Sequence, residues 1–212
     1  MELHDHIPTR NVLVAVDVQH DFVDGSLAVT EGEQVVEPLN ELAHAVRTNL
    51  GRVAFTRDWH PASTPHFDTW PVHCVAGTEG ADFFPTLTIE EDDVVVSKGM
   101  GQTDGYSGVE GVAANGETLE SIINPEGHWE NVHVFIGGLA TDYCVKATAI
   151  DLAERFKKYP AVEIHAIPEA MRAVNIQPDD GITAVEAMAA AGVHITNLND
   201  ALAMIDTTRV EA

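Results

Sequence analysis

The sequence predicts an α/β fold: a doubly wound, mostly parallel six-stranded sheet with helices on both faces. Six short, near-continuous runs of β-branched and apolar residues recur along the chain, as is typical of strands buried on both faces of a parallel sheet. Helical stretches separate several of these runs, and alternating strands and helices indicate an α/β domain. The length of 212 residues suits one domain, 1–212, with a core of about 11–205.

The elements follow from local pattern. The predicted strands are Asn11–Asp17, Arg52–Thr56, Val94–Ser97, Val132–Ile136, Val162–Ile167 and Val193–Thr196. The predicted helices, which carry apolar residues at close to a 3.6-residue period, are Glu33–Asn49, Thr141–Phe156 and Asp179–Ala191. Gly192 is suited to end the last helix. Segments 57–92 and 99–116 break the rhythm, and their aromatic residues favour functional loops over disorder.

Composition excludes several classes of partner. Lys and Arg number 11 against 34 Asp and Glu, so the net charge of −23 repels nucleic acid and anionic membrane. No apolar run approaches the roughly 18 residues that span a bilayer. Two cysteines are too few for a disulfide framework, and residues 1–6 show no signal-peptide pattern, so we expect a cytoplasmic protein. Homo-oligomerisation stays open.

Three candidate catalytic residues each follow a predicted strand. Cys144 lies in the first turn of a predicted helix, where backbone N–H groups and the helix dipole favour a thiolate. Asp17 and Lys98 close two other strands, and the carboxyl ends of parallel strands meet at one ligand-binding edge. An acid could take the proton of the thiol and a cation could favour its charged form.

The glycines before the cysteine allow two interpretations. Gly137 and Gly138 could let the N–H groups of Ala140 and Cys144 form an oxyanion hole. A plain tight turn between strand and helix would explain the same glycines equally well.

Residues 57–74 concentrate metal-ligand types. Asp58 and His60 form an Asp-x-His pair whose side chains point one way in extended chain, and His73 comes from further along the loop. Carboxylate and imidazole ligands suit Zn, Mn or Fe. The chain has 11 histidines, so ordinary surface histidines are the competing interpretation. For Cys74 we favour a buried structural thiol over a metal ligand.

Taken together, these motifs resemble the nicotinamidase branch of the isochorismatase-like cysteine hydrolases. The segments that carry the resemblance lie between residue 11 and about residue 190, and they are 16–22, 25–29, 57–61, 70–81, 98–99, 103–108 and 138–145. The pattern Gly-Leu-Ala-Thr-Asp-x-Cys indicates the superfamily. Trp-Pro-x-His-Cys together with Tyr-Ser-Gly narrows the resemblance to the nicotinamidase branch.

The resemblance implies an activity and a site. The activity is hydrolysis of nicotinamide, and also of pyrazinamide, to the acid and ammonia through a cysteine thioester. It implies one divalent metal ion (Zn, Fe or Mn), which the ring nitrogen of the substrate approaches, and a cis peptide bond before Ala140. The implied site residues are the triad Asp17, Lys98 and Cys144, the metal ligands Asp58, His60 and His73, and the ring clamp Phe22, Trp70 and Tyr106. His66 is left open as a fourth ligand.

Two alternatives remain at this point. One is a sibling hydrolase that acts on another small amide, a carbamoyl compound or a vinyl ether. Cleavage of a vinyl ether needs no cysteine nucleophile, so Cys144 counts against that substrate. The other is a metal- or pyridine-sensing binding module without turnover, which the complete triad disfavours. Release of ammonia from nicotinamide distinguishes all three.

Overall fold

A seven-stranded sheet forms the centre of the computed structural model, which describes residues 9–101, 104–124 and 131–207. The strands are β1 (Arg10–Val16), β2 (Arg52–Asp58), β3 (Val94–Lys98), β4 (Val112–Ala113), β5 (Val132–Leu139), β6 (Val162–Arg172) and β7 (His194–Ile195). Their order across the sheet is β4-β3-β2-β1-β5-β6-β7. Every neighbouring pair is parallel except β3 and β4. The predictions for residues 1–6 and for Thr103 lie outside the described ranges.

The predicted number of strands is one too low. The additional strand, β4, has only two residues and pairs antiparallel with β3 at the edge of the sheet. Two residues are too few to produce a hydrophobic period, so its pairing depends on the neighbouring strand. The strands β5 and β6 also extend beyond their predicted ends, by three residues to Leu139 and by five to Arg172.

Helices cover both faces of the sheet, as predicted. They are α1 (His20–Val23), α2 (Val36–Thr48), α3 (Leu119–Ile123), α4 (Lys146–Phe156), α5 (Asp180–Ala190) and α6 (Leu198–Thr207). The core on one face takes apolar side chains from α3, α4 and α5, and the core on the other takes them from α1, α2 and α6. Within the described ranges, none of these helices is long and apolar enough to cross a membrane.

The sequence pattern correctly predicted where α5 ends, but it missed two helices. Gly192 has a φ of 96° and its N–H donates to the carbonyl of Ala189, so this glycine ends α5 as expected. The sequence pattern missed α3, a five-residue helix whose N-terminus is closed by reciprocal hydrogen bonds between Thr118 and Ser121. It also missed α6. Short helices give a weak periodic signal, and tertiary packing supplies most of their stability.

The topology fixes where a ligand can bind. From β1 the chain moves outward to β2 and β3, whereas β5, β6 and β7 lie on the other side of β1. The direction of winding therefore reverses between β1 and β5. In open α/β sheets, ligands bind outside the carboxyl ends of the strands at such a switch point.

Candidate active site

Three buried side chains converge at the carboxyl edge of the sheet. Asp17 follows β1, Lys98 ends β3, and Cys144 lies in the turn after β5. An oxygen of Asp17, an oxygen of Asp58 and the sulfur of Cys144 all lie within 4.8 Å of one another. The structure therefore brings together the three residues that the sequence placed at strand ends.

The Lys98 ammonium group joins these residues. Its Nζ is 2.8 Å from Asp17 Oδ2 and donates a hydrogen bond of 2.6 Å to Asp58 Oδ1. It also donates to the carbonyl of Gly105 at 3.0 Å and to the Cys144 sulfur at 3.5 Å. Asp58 ends β2 and pairs in register with Lys98 of β3, which places the two side chains together. One cation thus pairs with two buried carboxylates and contacts the thiol.

Burial sets the protonation states of this cluster. It raises the pKa of Asp17, against the opposing effect of Lys98. Burial alone would lower the pKa of Lys98, but the carboxylates of Asp17 and Asp58 outweigh it and raise that pKa well above its usual value. Burial also raises the pKa of the Cys144 thiol well above its usual value; Lys98 opposes this, and the two carboxylates add to it.

Burial and the two carboxylates therefore oppose ionisation of the Cys144 thiol, and Lys98 favours it. The sequence pattern predicts that the start of the helix favours a thiolate, but it does not reveal these buried carboxylates, which act in the opposite direction. A buried thiol that must become nucleophilic needs a base within reach to take its proton. An oxygen of Asp17 lies within 4.8 Å of the sulfur and is therefore within reach.

Thr56 holds Asp17 in place. Its hydroxyl donates to Asp17 Oδ1 at 2.6 Å, and its carbonyl accepts the Asp17 N–H at 3.1 Å. Asp17 has a φ of 50°, in the left-handed region that residues other than glycine rarely adopt. Such a conformation persists when the surrounding contacts hold it. Sequence reasoning missed Thr56, because a threonine within an apolar strand carries no local functional signal.

The chain turns sharply between β5 and Cys144. The peptide bond between Leu139 and Ala140 is cis, as the resemblance implied. The next turn, Thr141–Val145, is π-helical, and the N–H groups of Tyr143 and Val145 both donate to the carbonyl of Ala140 at 3.1 Å. The predicted helix thus begins with a wide turn that carries the cysteine and continues as α4. Single π-helical turns of this kind are frequent at functional sites.

Two further residues fix this turn. Gly138 has a φ of 123°, and a Cβ atom there would lie 2.0 Å from the carbonyl oxygen of Val16, so only glycine fits beside β1. Asp142 is buried, and its two carboxylate oxygens accept the N–H groups of Val174 and Asn175 at 2.9 Å each. The position of Cys144 is therefore tied to β1 and to the loop after β6.

A second cluster, of three histidines and Asp58, adjoins the first. One ring nitrogen of each of His60, His66 and His73 lies within 4.8 Å of those of the other two. Asp58 Oδ2 is 3.6 Å from His60 Nε2 and 4.0 Å from His73 Nε2. All four residues are buried. His66, whose place in this cluster the sequence left open, lies within it.

The histidine rings are oriented as metal ligands require. Each Nδ1 contacts an oxygen that can only accept a hydrogen bond, so Nδ1 carries the proton and Nε2 keeps its lone pair. For His60, His66 and His73 these oxygens belong to Gly99 (2.9 Å), Asp104 (2.9 Å) and Pro71 (2.7 Å). Within the described ranges, the buried His60 Nε2 has no hydrogen-bond partner. The cluster could therefore hold a divalent metal ion.

An aromatic pocket opens above the thiol. It encloses about 350 Å³ including its mouth, and Cys144, Ala140, Asp58, His66 and His73 contribute to its wall. The three predicted clamp residues, Phe22, Trp70 and Tyr106, line it as well. Trp70 Nε1 donates to the Tyr106 hydroxyl at 2.9 Å, which holds the two rings together. The pocket therefore presents flat apolar walls between the thiol and the histidine cluster.

Tyr143 is a lining residue that sequence reasoning missed. Its ring meets Trp70 edge-on at a centroid distance of 5.0 Å and lies 5.8 Å from that of Tyr106. An aromatic residue directly before the candidate nucleophile was the available signal.

Gln19 was also missed. Its side-chain amide makes two 2.8 Å hydrogen bonds with the backbone of Asp58, donating to the carbonyl and accepting the N–H. It thereby fixes the end of β2 that carries Asp58.

Cys74 is a free, fully buried thiol whose sulfur contacts the carbonyl of Gly80 at 3.8 Å. Its predicted burial is confirmed.

A buried thiol, carboxylate and ammonium group at the switch point of a doubly wound sheet are typical of an α/β cysteine hydrolase. The chain belongs to the isochorismatase family, because the profile of the isochorismatase domain matches residues 11–200.

Two curated relatives and one solved structure place the chain more closely. It is 41% identical over 148 residues to "Nicotinamidase/pyrazinamidase" of Mycobacterium tuberculosis, covering 66% of this chain and 76% of the relative. It is 32% identical over 219 residues to "Nicotinamidase" of Escherichia coli, covering 92% and 97%. The structure of pyrazinamidase of Pyrococcus horikoshii in complex with zinc superposes with a TM-score of 0.75 at 33% identity, covering 89% of this chain and 99% of that one.

Proposed function

We propose that the protein hydrolyses nicotinamide to nicotinate and ammonia through a thioester on Cys144, and that it also accepts pyrazinamide. One observation carries the proposal: the Cys144 thiol and the histidine cluster line the same aromatic pocket. A substrate that fits must place an amide at the thiol and a ligand atom at the cluster, with a flat ring between them. The names of the relatives from M. tuberculosis and E. coli support this substrate.

The pocket residues bind and orient the ring. Phe22, Trp70 and Tyr106 stack against its faces and edges. Asp58, His60 and His73, with His66 as a fourth ligand, would hold one Zn, Fe or Mn ion. A bound ion would supply a Lewis acid for the ring nitrogen of the substrate.

Acylation begins with attack of the Cys144 sulfur on the carboxamide carbon. The thiol proton passes to the Asp17 carboxylate as the carbon–sulfur bond forms, and the carbonyl π electrons move onto oxygen. The N–H groups of Ala140 and Cys144 donate to that oxyanion. Lys98 stays protonated and stabilises the negative charge that shifts between Asp17 and the sulfur.

Collapse of the tetrahedral intermediate breaks the carbon–nitrogen bond. Asp17 returns its proton to the departing nitrogen, so ammonia leaves and a thioester remains on Cys144. Water then attacks the thioester carbon and gives a proton to Asp17. The carbon–sulfur bond breaks, the sulfur takes the proton back from Asp17, and the carboxylic acid product ionises to nicotinate.

Measurement of ammonia release from nicotinamide and pyrazinamide tests the proposal. We expect the wild-type protein to act on both, and Cys144→Ala to lose turnover while it keeps its metal content. Cys74→Ala is the matched control, because that buried thiol lies outside the pocket, and we expect it to retain activity. Full activity of Cys144→Ala would refute the mechanism. Rejection of both amides by the wild type would point instead to a sibling hydrolase of another small amide.

A further inference from the structure

A separate cluster of metal-ligand side chains lies at the opposite edge of the sheet. His133 is the second residue of β5, and Glu163 and His165 are the second and fourth residues of β6. Since these strands are parallel, all three lie near their amino ends. At about 3.3 Å per residue, His133 is about 20 Å along β5 from the edge that carries Cys144. The cluster is therefore distinct from the candidate active site.

Two of the three spacings between ligand atoms match those around a tetrahedral metal ion. Glu163 Oε2 is 3.3 Å from His133 Nδ1 and 3.6 Å from His165 Nε2. One ligand atom of each residue lies within 4.8 Å of those of the other two. Ligands bound at roughly 2.0–2.2 Å in a tetrahedron are about 3.3–3.6 Å apart. In the cluster at the candidate active site, the corresponding distances from Asp58 Oδ2 to His60 and His73 are 3.6 and 4.0 Å.

The two nitrogens that face Glu163 lack hydrogen bonds. Both His133 Nδ1 and His165 Nε2 are buried, and neither has a hydrogen-bond partner in the described part of the chain. Their distances from Glu163 Oε2 are 3.3 Å for His133 and 3.6 Å for His165, and the second is longer than a hydrogen bond. The His165 side chain is only 5% exposed, so an unsatisfied ring nitrogen there is costly. A cation between the three groups would satisfy all of them.

The hydrogen bonding of His165 also suits a metal ligand. The 2.9 Å contact between His165 Nδ1 and the Thr196 hydroxyl allows Nδ1 to carry the proton, which leaves the lone pair on Nε2. Two imidazoles beside a carboxylate form a ligand set that Zn²⁺ accepts.

We propose that His133, Glu163 and His165 form a second divalent-metal site, of the zinc class, with water in the fourth position. Glu163 is 44% exposed, which gives the ion a path from solvent. The net charge of −23 favours binding of cations. The bound ion would link β5 to β6 at the edge away from the pocket, and would therefore stabilise the fold.

The test of the site is titration of the metal-stripped protein with zinc chloride. Calorimetry monitors the titration, and metal analysis after dialysis gives the number of ions bound. We expect two zinc ions per chain for the wild type. Glu163→Gln and His165→Gln should each weaken binding of one ion by at least about tenfold. Loss of a residue that only supports a metal ligand already lowers metal affinity by about that factor, and loss of the ligand itself should lower it at least as much. The exposed His44→Gln is the matched control and should bind two.

The Asp58→Asn background separates the two sites. That variant should still bind one zinc ion with the affinity of the second site, and addition of Glu163→Gln should weaken this binding by at least about tenfold. Zinc should also raise the Tm of Asp58→Asn more than the Tm of the double variant. Equal zinc stoichiometry and affinity in Asp58→Asn with and without Glu163→Gln would overturn the proposal. Because no readout uses substrate, this result does not depend on the proposed amidase activity.

Discussion

Replacement of Lys98 by methionine tests how far the centre of the site depends on one buried cation. The Lys98 Nζ is fully buried, and it lies 2.8 Å from Asp17 and 2.6 Å from Asp58. Lys98→Met keeps most of the volume but leaves two buried carboxylates without their cation. Removing one partner of a buried ion pair costs about 3–5 kcal/mol. For a chain of this length that corresponds to a fall in Tm of about 6–20 °C.

The assay is urea and thermal unfolding of metal-stripped protein, so that no bound ion neutralises Asp58. The exposed Lys158→Met is the matched control and should lie within about 0.5 kcal/mol of wild type. Lys98→Met combined with Asp17→Asn should recover at least about 1 kcal/mol, because one unpaired charge is then removed. If Lys98→Met unfolds within about 1 kcal/mol of wild type, the ammonium group does not balance the two carboxylates and the electrostatic reasoning fails.

Three further predictions concern positioning, pH and metal. Thr56→Val removes the hydroxyl that donates to Asp17, and loss of a hydrogen bond to a charged group costs about 1.5–3 kcal/mol. We therefore expect kcat for ammonia release to fall about 10- to 100-fold with little change in KM. An unchanged kcat would contradict the role given to Thr56. Burial raises the pKa of Asp21, but hydrogen bonds from Ser26 and Cys74 outweigh it and lower that pKa below 3.8. Ionised Asp21 therefore stabilises the folded protein at a pH above 3.8, and this stabilisation is lost on acidification. The difference in the free energy of urea unfolding between wild type and Asp21→Asn should shrink from about pH 5 downward. A difference that stays constant with pH would contradict this. Treatment with a chelator should abolish ammonia release, and addition of Zn, Fe or Mn should restore it, whereas full activity of protein shown to be metal-free by elemental analysis would exclude a role for the ion.

The strands were predictable because each is a continuous apolar run, and that signal is local. The two-residue β4 and the short helices α3 and α6 were missed, because their stability comes from the sheet and the cores on which they pack. The extension of β6 to Arg172 likewise depends on pairing with β5. The register between the two strands shifts near Gly138, and beyond the shift Leu139 pairs with Arg172.

Candidate site residues were predictable where their position in the chain set their position in space. Asp17, Lys98 and Cys144 follow strands that run in one direction, so they reach one edge. Thr56 and Gln19 were not predictable, because they act on residues 39 positions away through contacts that only the sheet creates.

The sequence by itself determined the fold class, the family resemblance and most of the residues that meet at the pocket. Only the tertiary structure decided that Cys144 is buried close to two carboxylates, that His66 lies in the histidine cluster, and that His133, Glu163 and His165 form a cluster of their own. The physical reason is the same in each case. Protonation and metal binding depend on burial and on distances of a few ångströms between groups far apart in the chain, and these are fixed only when the strands pair.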